Sequence, residues 1–412
     1  MIEESCTIAI VGGGTAGLAL AAELRRLDVG KVVVLEREAE AGGIPRHCGH
    51  YPFGLREYGR LLKGPDYARR NRDLAASLGA DIRTGTTVTA LRPGGVVEIL
   101  SNAGRTLLQA QRVVLCTGVR ESSRAQRFVS GDRPGGVVTT GALQSMVYLK
   151  GIRPFNRPVI FGSELVSFSA VQTCEHLGIR PVAMVEEADR ILARRVLRPY
   201  LLLKRVPLYS AVRNLRIHGR ERVEALEFVD ANGDTRQIEA DGIIMSGHFR
   251  PESALLRSSH LEVDPGSGGP VVDQFGRCSD PSYFSAGNLL RAAETSDFCW
   301  REAIVTARSL SIDLDRSAHT QGTSVAVVAS DPAIGFIVPQ RLVLSGEPGG
   351  MTQFYLGLTN PVDGIITARC GDRTLWKGKL KSRPIRRVQL PIAGILAATP
   401  DSDIRLSLEG DH

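Results

Sequence analysis

Gly12, Gly14, Gly17 and Glu36 have the types and spacing to hold a diphosphate and the sugar beside it. Gly12 permits a tight turn. Gly14 lets a phosphate reach bare main chain, and Gly17 lets a helix pack closely on a strand. Glu36 stands 24 residues past Gly12 (36 − 12), the separation at which a carboxylate meets the hydroxyls of an adenosine ribose. To present these residues the chain must run strand, turn, helix, strand. Residues 8–11 are apolar, as a buried strand requires. Leu18, Leu20, Ala21, Leu24 and Leu27 then mark one helix face, Gly30 stops the helix, and residues 31–35 form a second strand. The helix start offers unpaired N–H groups and partial positive charge to the phosphates. A bound dinucleotide is expected. The plainer alternative is a glycine-rich turn kept for packing.

The pattern recurs. RPVIFG ends a strand at Gly162, a helix spans residues 164–177, Gly178 stops it, and PVAMVE ends on Glu186. Gly162 to Glu186 is again 24 residues (186 − 162). Where the first copy has Gly14 and Gly17, the second has Glu164 and Ser167. A carboxylate about 4 Å from a phosphate costs on the order of 4 kcal/mol at an effective dielectric near 20, or about three decades of affinity. The second copy is therefore expected to keep the fold and bind NAD(P) poorly or not at all. The alternative is that Glu164 turns to solvent and Glu186 still holds a ribose.

Between the first copy and a helix expected over residues 66–78 lies a loop with Gly42 and Gly43, read as a second close approach to the cofactor. Arg46, His47, Cys48, His50 and Tyr51 follow. His47 or His50 can serve as a base, since imidazole titrates near neutral pH. Arg46 suits a diphosphate or a substrate carboxylate. Cys48 can pack on a ring or be a plain loop cysteine. Hydrogen bonding beside the cofactor is the structural alternative for the histidines.

Net charge is +7 and spread along the chain, with no basic segment interleaved with aromatics. This favours anionic ligands or partners over nucleic acid. Residues 189–205 are basic and read as a docking face or as a solvated helix. The seven cysteines include no CxxC pair, which argues for a reducing, cytoplasmic setting and against a disulfide framework. The apolar run at the start is the first strand rather than a signal peptide, and no apolar stretch is long enough to span a membrane. No metal site is expected.

Residues 81–91 and 96–101 alternate as strands, 112–116 form a buried strand ending in CTGVRE, and a hairpin turns at Asn232-Gly233. Arg120 and Glu121 are expected to cap that strand end near the cofactor or to pair with each other. YFSAGN, residues 283–288, precedes a helix expected over 298–310. A strand ending on Gly287 and Asn288, with a helix start beyond it, suits a flavin. Asn288 can bond the ribitol, and the helix dipole can steady negative charge on the reduced ring. Phe298 and Trp300 are expected to pack on the helix face. From residue 323 about seven short strands follow, one turn lying at 346–350, as in a β-sandwich for docking or oligomerisation, or for stability alone.

VGGGTAG with Glu36, CTGVRE, GHFRPES and YFSAGN stand in an order that resembles flavoproteins of the pyridine nucleotide-disulphide oxidoreductase type. GDRPGGVVTTGALQ and ETSDFCWRE are similar to the FAD subunits of heteromeric bacterial opine, proline and hydroxyproline dehydrogenases, the cyanide-forming glycine dehydrogenase and the sarcosine oxidase alpha subunit. The resemblance implies an α/β chain. A Rossmann-like FAD domain (1–122 and 243–320) would carry an inserted NAD(P)-type domain (123–242), degenerate here, and a β-sandwich-like domain (323–412). It implies that Ala16, Arg37, Val88, Thr117 and Gly118 join Gly12, Gly14, Gly17, Glu36, Gly43, Arg46, His47, Gly287 and Asn288 around FAD. It also implies oxidation of a small amine, amino acid or hydroxy acid, with electrons passed to a partner flavin or iron–sulfur subunit. The alternatives are an NAD(P)H-dependent flavoprotein reductase and a non-catalytic FAD-holding relay subunit. The redox cysteine pair of the family and the iron–sulfur cysteines of some relatives are both missing.

Overall fold

The computed structural model describes residues 2–315, 323–344 and 349–411. By contacts the chain forms two units. One holds Met1–Gly43, Ala68–Val119 and Pro251–His412; the other holds Ile44–Tyr67 and Arg120–Arg250.

The first unit is built on a seven-stranded sheet. Asp81–Arg83, Val32–Leu35, Ile2–Val11, Gly104–Leu115 and Tyr283–Ser285 run parallel, while Val96–Ser101 and Thr87–Arg92 add antiparallel strands at one side. Val32–Leu35 and the carboxyl ends of Ile2–Val11 and Gly104–Leu115 are apolar runs because both faces are covered. Ile8, Ile10, Val32 and Val34 face the helix Thr15–Arg26 and the long helix Ser296–Asp315, in a core that includes Leu20, Leu24, Ala303 and Leu310. Val11, Val33 and Leu35 belong to the opposite core, which continues into the C-terminal strands through Val338, Phe354 and Leu406. There Arg341–Val343, Ser324–Ala329, Ile404–Asp411, Val362–Cys370 and Arg373–Ser382 form a five-stranded sheet. Ile334–Val338, Gln353–Leu358 and Val388–Pro391 form a three-stranded one.

Three expectations need correction. Residues 81–91 are two strands, since Gly85, at φ +58°, breaks the run and donates its N–H to Glu38. The strand Ile334–Val338 lacks a polar alternation that would announce it. The helix expected over 298–310 runs Ser296–Asp315, longer at both ends. Residues 346–348 of the expected turn, and the boundary drawn at residue 320, lie outside the described residues.

The second unit carries the second copy. Leu208–Tyr209, Ala183–Val185, Pro158–Phe161, Gly242–Met245 and Val137–Thr139 form a parallel sheet beside the helix Leu165–His176. A second sheet contains the hairpin Ala225–Val229 and Thr235–Glu239. Among the described residues no helix is long and apolar enough to cross a membrane.

Candidate functional site

The opening turn is shaped by contacts that exclude side chains. A Cβ on Gly12, at φ +108°, would stand 2.4 Å from the Cys116 carbonyl oxygen, and one on Gly17 would stand 1.9 Å from that of Gly12. Gly14 and Gly43 approach each other, with room for only 2.8 Å between a Cβ on Gly43 and the Gly14 Cα. Glu36 is buried, and its two oxygens accept the N–H groups of Gly13 (2.9 Å) and Glu38 (2.8 Å). Each oxygen keeps a lone pair for a further donor. The helix Thr15–Arg26 begins at Gly14 with no side-chain cap and no acid in its first turn. Thr15 Oγ1 is buried there with no partner among the described residues. Bare main chain, uncapped N–H groups and an unpaired hydroxyl are the donor set a diphosphate requires.

Gly287, at φ +77°, lies over Ala16, where a Cβ would come within 2.8 Å of the Ala16 Cβ. Its N–H bonds Glu302 Oε2 at 3.0 Å, and Glu302 also pairs with buried Arg291 at 2.9 Å. The Arg291 guanidinium rests 4.0 Å from the centre of the Tyr355 ring, and Phe298 meets the same ring edge-on. Phe298 thus packs, as expected. Asn288 turns its amide onto the main chain of Glu294, accepting at 2.6 Å and donating at 3.1 Å. That leaves one amide N–H of Asn288 to offer elsewhere. Thr117 Oγ1 donates to the Glu252 carbonyl at 2.9 Å, and Gly118 takes φ +74°. Val88 packs on the core shared with Val11 and Leu35, just past Thr86, whose N–H bonds the Glu36 carbonyl. Arg37 is exposed and sits 3.8 Å from Glu38.

The second unit holds Arg46, His47, Cys48 and His50. Ile44–His47 is a single 3-10 turn. Cys48 is buried, its Sγ set against the Ile44 carbonyl at 3.4 Å and Gln144 Oε1 at 3.6 Å, and burial pushes its thiol up to about 12. It therefore stays a thiol at neutral pH. His50 Nδ1 lies 3.0 Å from the Tyr51 carbonyl, and burial holds its imidazole below the usual range. With Nδ1 donating, Nε2 carries the free lone pair. Glu121 sets its carboxylate on main chain of the second unit, accepting from Gly141 and Gly247 N–H at 2.7 and 3.0 Å. Glu121 is the last residue of the strand Val119–Glu121.

The second copy repeats the turn and the two bonds to its acid, with different residues. Gly162 presses on the Ser246 carbonyl as Gly12 does on that of Cys116. Ser163 stands where the first copy has Gly13, and its hydroxyl donates to Glu186 at 2.6 Å. Ala188 N–H bonds the other Glu186 oxygen at 2.9 Å. Glu164 does not turn to solvent, because its Oε1 accepts the His248 N–H at 2.7 Å. Ser167, at the position of Gly17, bonds Ser246 Oγ at 2.9 Å. Sequence reading missed Gly13 and Thr15, whose N–H and hydroxyl carry no pattern of their own. It also missed Arg127, whose side chain is 3% exposed. All seven cysteines are free and buried, and among the described residues no His, Cys, Asp and Glu cluster could hold a metal.

Comparison with known proteins fits this geometry. The model of the pyridine nucleotide-disulphide oxidoreductase family matches residues 6–309. The chain is 25% identical over 319 residues to a subunit of opine oxidase from Rhizobium meliloti, covering 70% of this chain and 59% of the relative. It thus spans less than two thirds of that relative's length. It is 26% identical over 332 residues to the 3-phenylpropionate/cinnamic acid dioxygenase ferredoxin–NAD(+) reductase component of Photorhabdus laumondii, covering 74% of this chain and 77% of that one. The thioredoxin reductase of T. acidophilum shares the fold at 22% identity, with a TM-score of 0.64 over 76% of this chain and 100% of that structure. This chain belongs to the pyridine nucleotide-disulphide oxidoreductase family, as a flavin-dependent oxidoreductase whose cofactor is FAD.

Proposed function

We propose that this chain is a dehydrogenase subunit that oxidises a small amine, amino acid or hydroxy acid and works in a hetero-oligomer. FAD supplies the acceptor for a hydride from the substrate carbon. Gly12, Gly14, Ala16 and Gly17 hold its diphosphate, with Thr15 donating. Glu36 holds the ribose and Arg37 lies beside it. Gly43, Arg46, His47, Val88, Thr117, Gly118, Gly287 and Asn288 complete the binding residues. His50, or His47, receives the proton that leaves the substrate nitrogen or oxygen. His50 is suited to this because burial keeps it neutral and Nε2 is open to accept. Cys48 contributes packing and a weak donor. The second copy and the C-terminal sheets serve as scaffold and docking surface for the partner subunit, in a cytoplasmic assembly.

The observation that carries this reading is Glu164, held by the His248 N–H at the position where a dinucleotide would need bare main chain. Electrons that do not arrive from NAD(P)H must come from another reduced substrate. The similarity to an opine oxidase subunit supports a C–N bond as its site. The experiment is an anaerobic titration of the flavin-loaded chain, alone and with the product of a neighbouring gene. Amines, amino acids and hydroxy acids are offered first, then NADH and NADPH. Bleaching by an amine or amino acid supports the reading; fast bleaching by micromolar NADH overturns it.

A second reading, an NAD(P)H-dependent reductase, has its own support. Glu186 keeps the same two bonds as Glu36, and the chain covers 77% of a ferredoxin–NAD(+) reductase component. The same titration separates the two. If the flavin stays oxidised with every donor until a partner is added, the chain is a relay subunit instead.

A further inference from the structure

The second unit contains a cavity of about 410 Å³ lined by Ser122, Gln126, Arg127, Glu187, His248 and Arg250, among others. Arg127 lies at the carboxyl ends of its parallel strands. Nη1 donates to the carbonyls of Phe161 (3.1 Å) and Ser246 (3.2 Å), and the guanidinium is stacked 3.6 Å from the centre of the Phe161 ring. Those contacts fix the guanidinium plane and use one of its corners. Nε and Nη2, which together form the side-on edge, are buried with no hydrogen-bond partner among the described residues. Glu187 approaches Nη2 only to 3.7 Å, and its side chain is 47% exposed.

That edge is the fork that takes a carboxylate through two parallel N–H···O bonds. A buried cation with two unused donors is costly unless something satisfies them. We propose that the cavity is a binding site for a small carboxylate-bearing molecule, seated on the Nε/Nη2 edge of Arg127 in place of a dinucleotide. The lining carries Arg127 and Arg250 against the acid Glu187, and Glu186 and Glu164 also act on Arg127 from nearby. This balance suits one negative charge better than the two or more of a phosphate ester. The volume is at the small end of ligand pockets, which run roughly 300–1,000 Å³. Glu164 denies the helix start to a diphosphate, so the anion is held by a side chain where a dinucleotide would be held by main chain. The inference rests on the reading of the second copy given above.

Calorimetry on the flavin-loaded chain tests it, with succinate, glutarate and L-glutamate as probes and inorganic phosphate and NADH as comparisons. At least one carboxylate binds with a submillimolar Kd, and phosphate binds at least tenfold more weakly. Arg127→Met loses binding by thirtyfold or more, and Arg127→Lys recovers part of it. Glu187→Gln, a surface change that leaves folding intact, tightens binding severalfold by removing the competing acid. Flavin content, measured in each variant, stays at the wild-type level. Carboxylate binding that is equal in wild type and Arg127→Met, or phosphate binding as tight as any carboxylate, overturns the proposal. So does the absence of heat with every carboxylate in both wild type and Glu187→Gln. Micromolar NADH binding breaks the reading of the second copy, whereas silence of the carboxylates alone breaks only this site.

Discussion

The two copies of the βαβ unit are the same backbone with opposite electrostatics. Gly12 and Gly162 press on the carbonyls of Cys116 and Ser246 in the same way, and Glu36 and Glu186 each take two donors. The difference lies at the helix start. In the first copy it is bare glycine above an unpaired Thr15 hydroxyl; in the second it is a carboxylate bonded to His248. The fold is thus set by strand burial and the tight turn, which both copies retain. Ligand choice is set by a few residues the fold does not need.

The largest break in the comparison is Gly17→Ala. Its methyl would sit 1.9 Å from the Gly12 carbonyl oxygen, and rigid main chain cannot yield. The variant is expected to purify without flavin and to melt well below wild type, or not to fold; absorbance and circular dichroism read both. A variant that keeps full flavin and wild-type melting would show that the helix shifts more freely than close packing allows.

Gly14→Glu transplants the second copy's residue into the first. Only the Gly43 Cα lies near a Cβ there, at 3.8 Å, so the fold has room. Flavin affinity is expected to fall by about three decades, from about 4 kcal/mol of charge repulsion. Equilibrium dialysis of FAD measures it, and a loss under tenfold would undo the electrostatic account of both copies.

Glu164→Gln tests the second copy from the other side, since the amide oxygen can still accept from His248. Burial raises the Glu164 carboxyl above its ordinary range. The folded state therefore binds this proton more tightly than the unfolded chain. The resulting stabilisation is full below about pH 4.5 and fades as pH rises through the raised value. Wild-type melting temperature should decline over that window more than that of Glu164→Gln. NADH affinity should improve about tenfold in the variant. Identical pH profiles would place the raised titration elsewhere, Glu121 and Asp273 being buried carboxyls with the same direction.

Much of this contrast was legible from residue order. Glycines at positions 12, 14 and 17, the matching 24-residue steps to Glu36 and Glu186, and Glu164 in the middle position all follow from spacing and side-chain size. What was not legible depends on residues distant in the chain. Arg127 is an ordinary arginine in sequence, and its burial depends on Phe161 and Ser246 closing around it. Asn288 looked free to meet a ligand, yet the turn at Glu294 takes most of its amide. Ile334–Val338 escaped because an unbroken apolar run announces burial without a period.

The smallest effect belongs to Ser167→Ala. Ser167 occupies the position where the first copy cannot tolerate a Cβ. The second copy accommodates it and adds a hydroxyl chain, Ser167 to Ser246 at 2.9 Å and Thr140 to Ser246 at 2.9 Å. Removing one hydroxyl leaves the other bond to Ser246, so the loss is that of a single buried hydrogen bond, about 1 kcal/mol. Denaturant unfolding should show that decrease with flavin content unchanged. The same one-carbon side chain would then be fatal at residue 17 and nearly silent at residue 167. A loss several times larger at Ser167 would mean the second copy is as tightly constrained at its helix start as the first, and that its glycine was replaced at a structural cost.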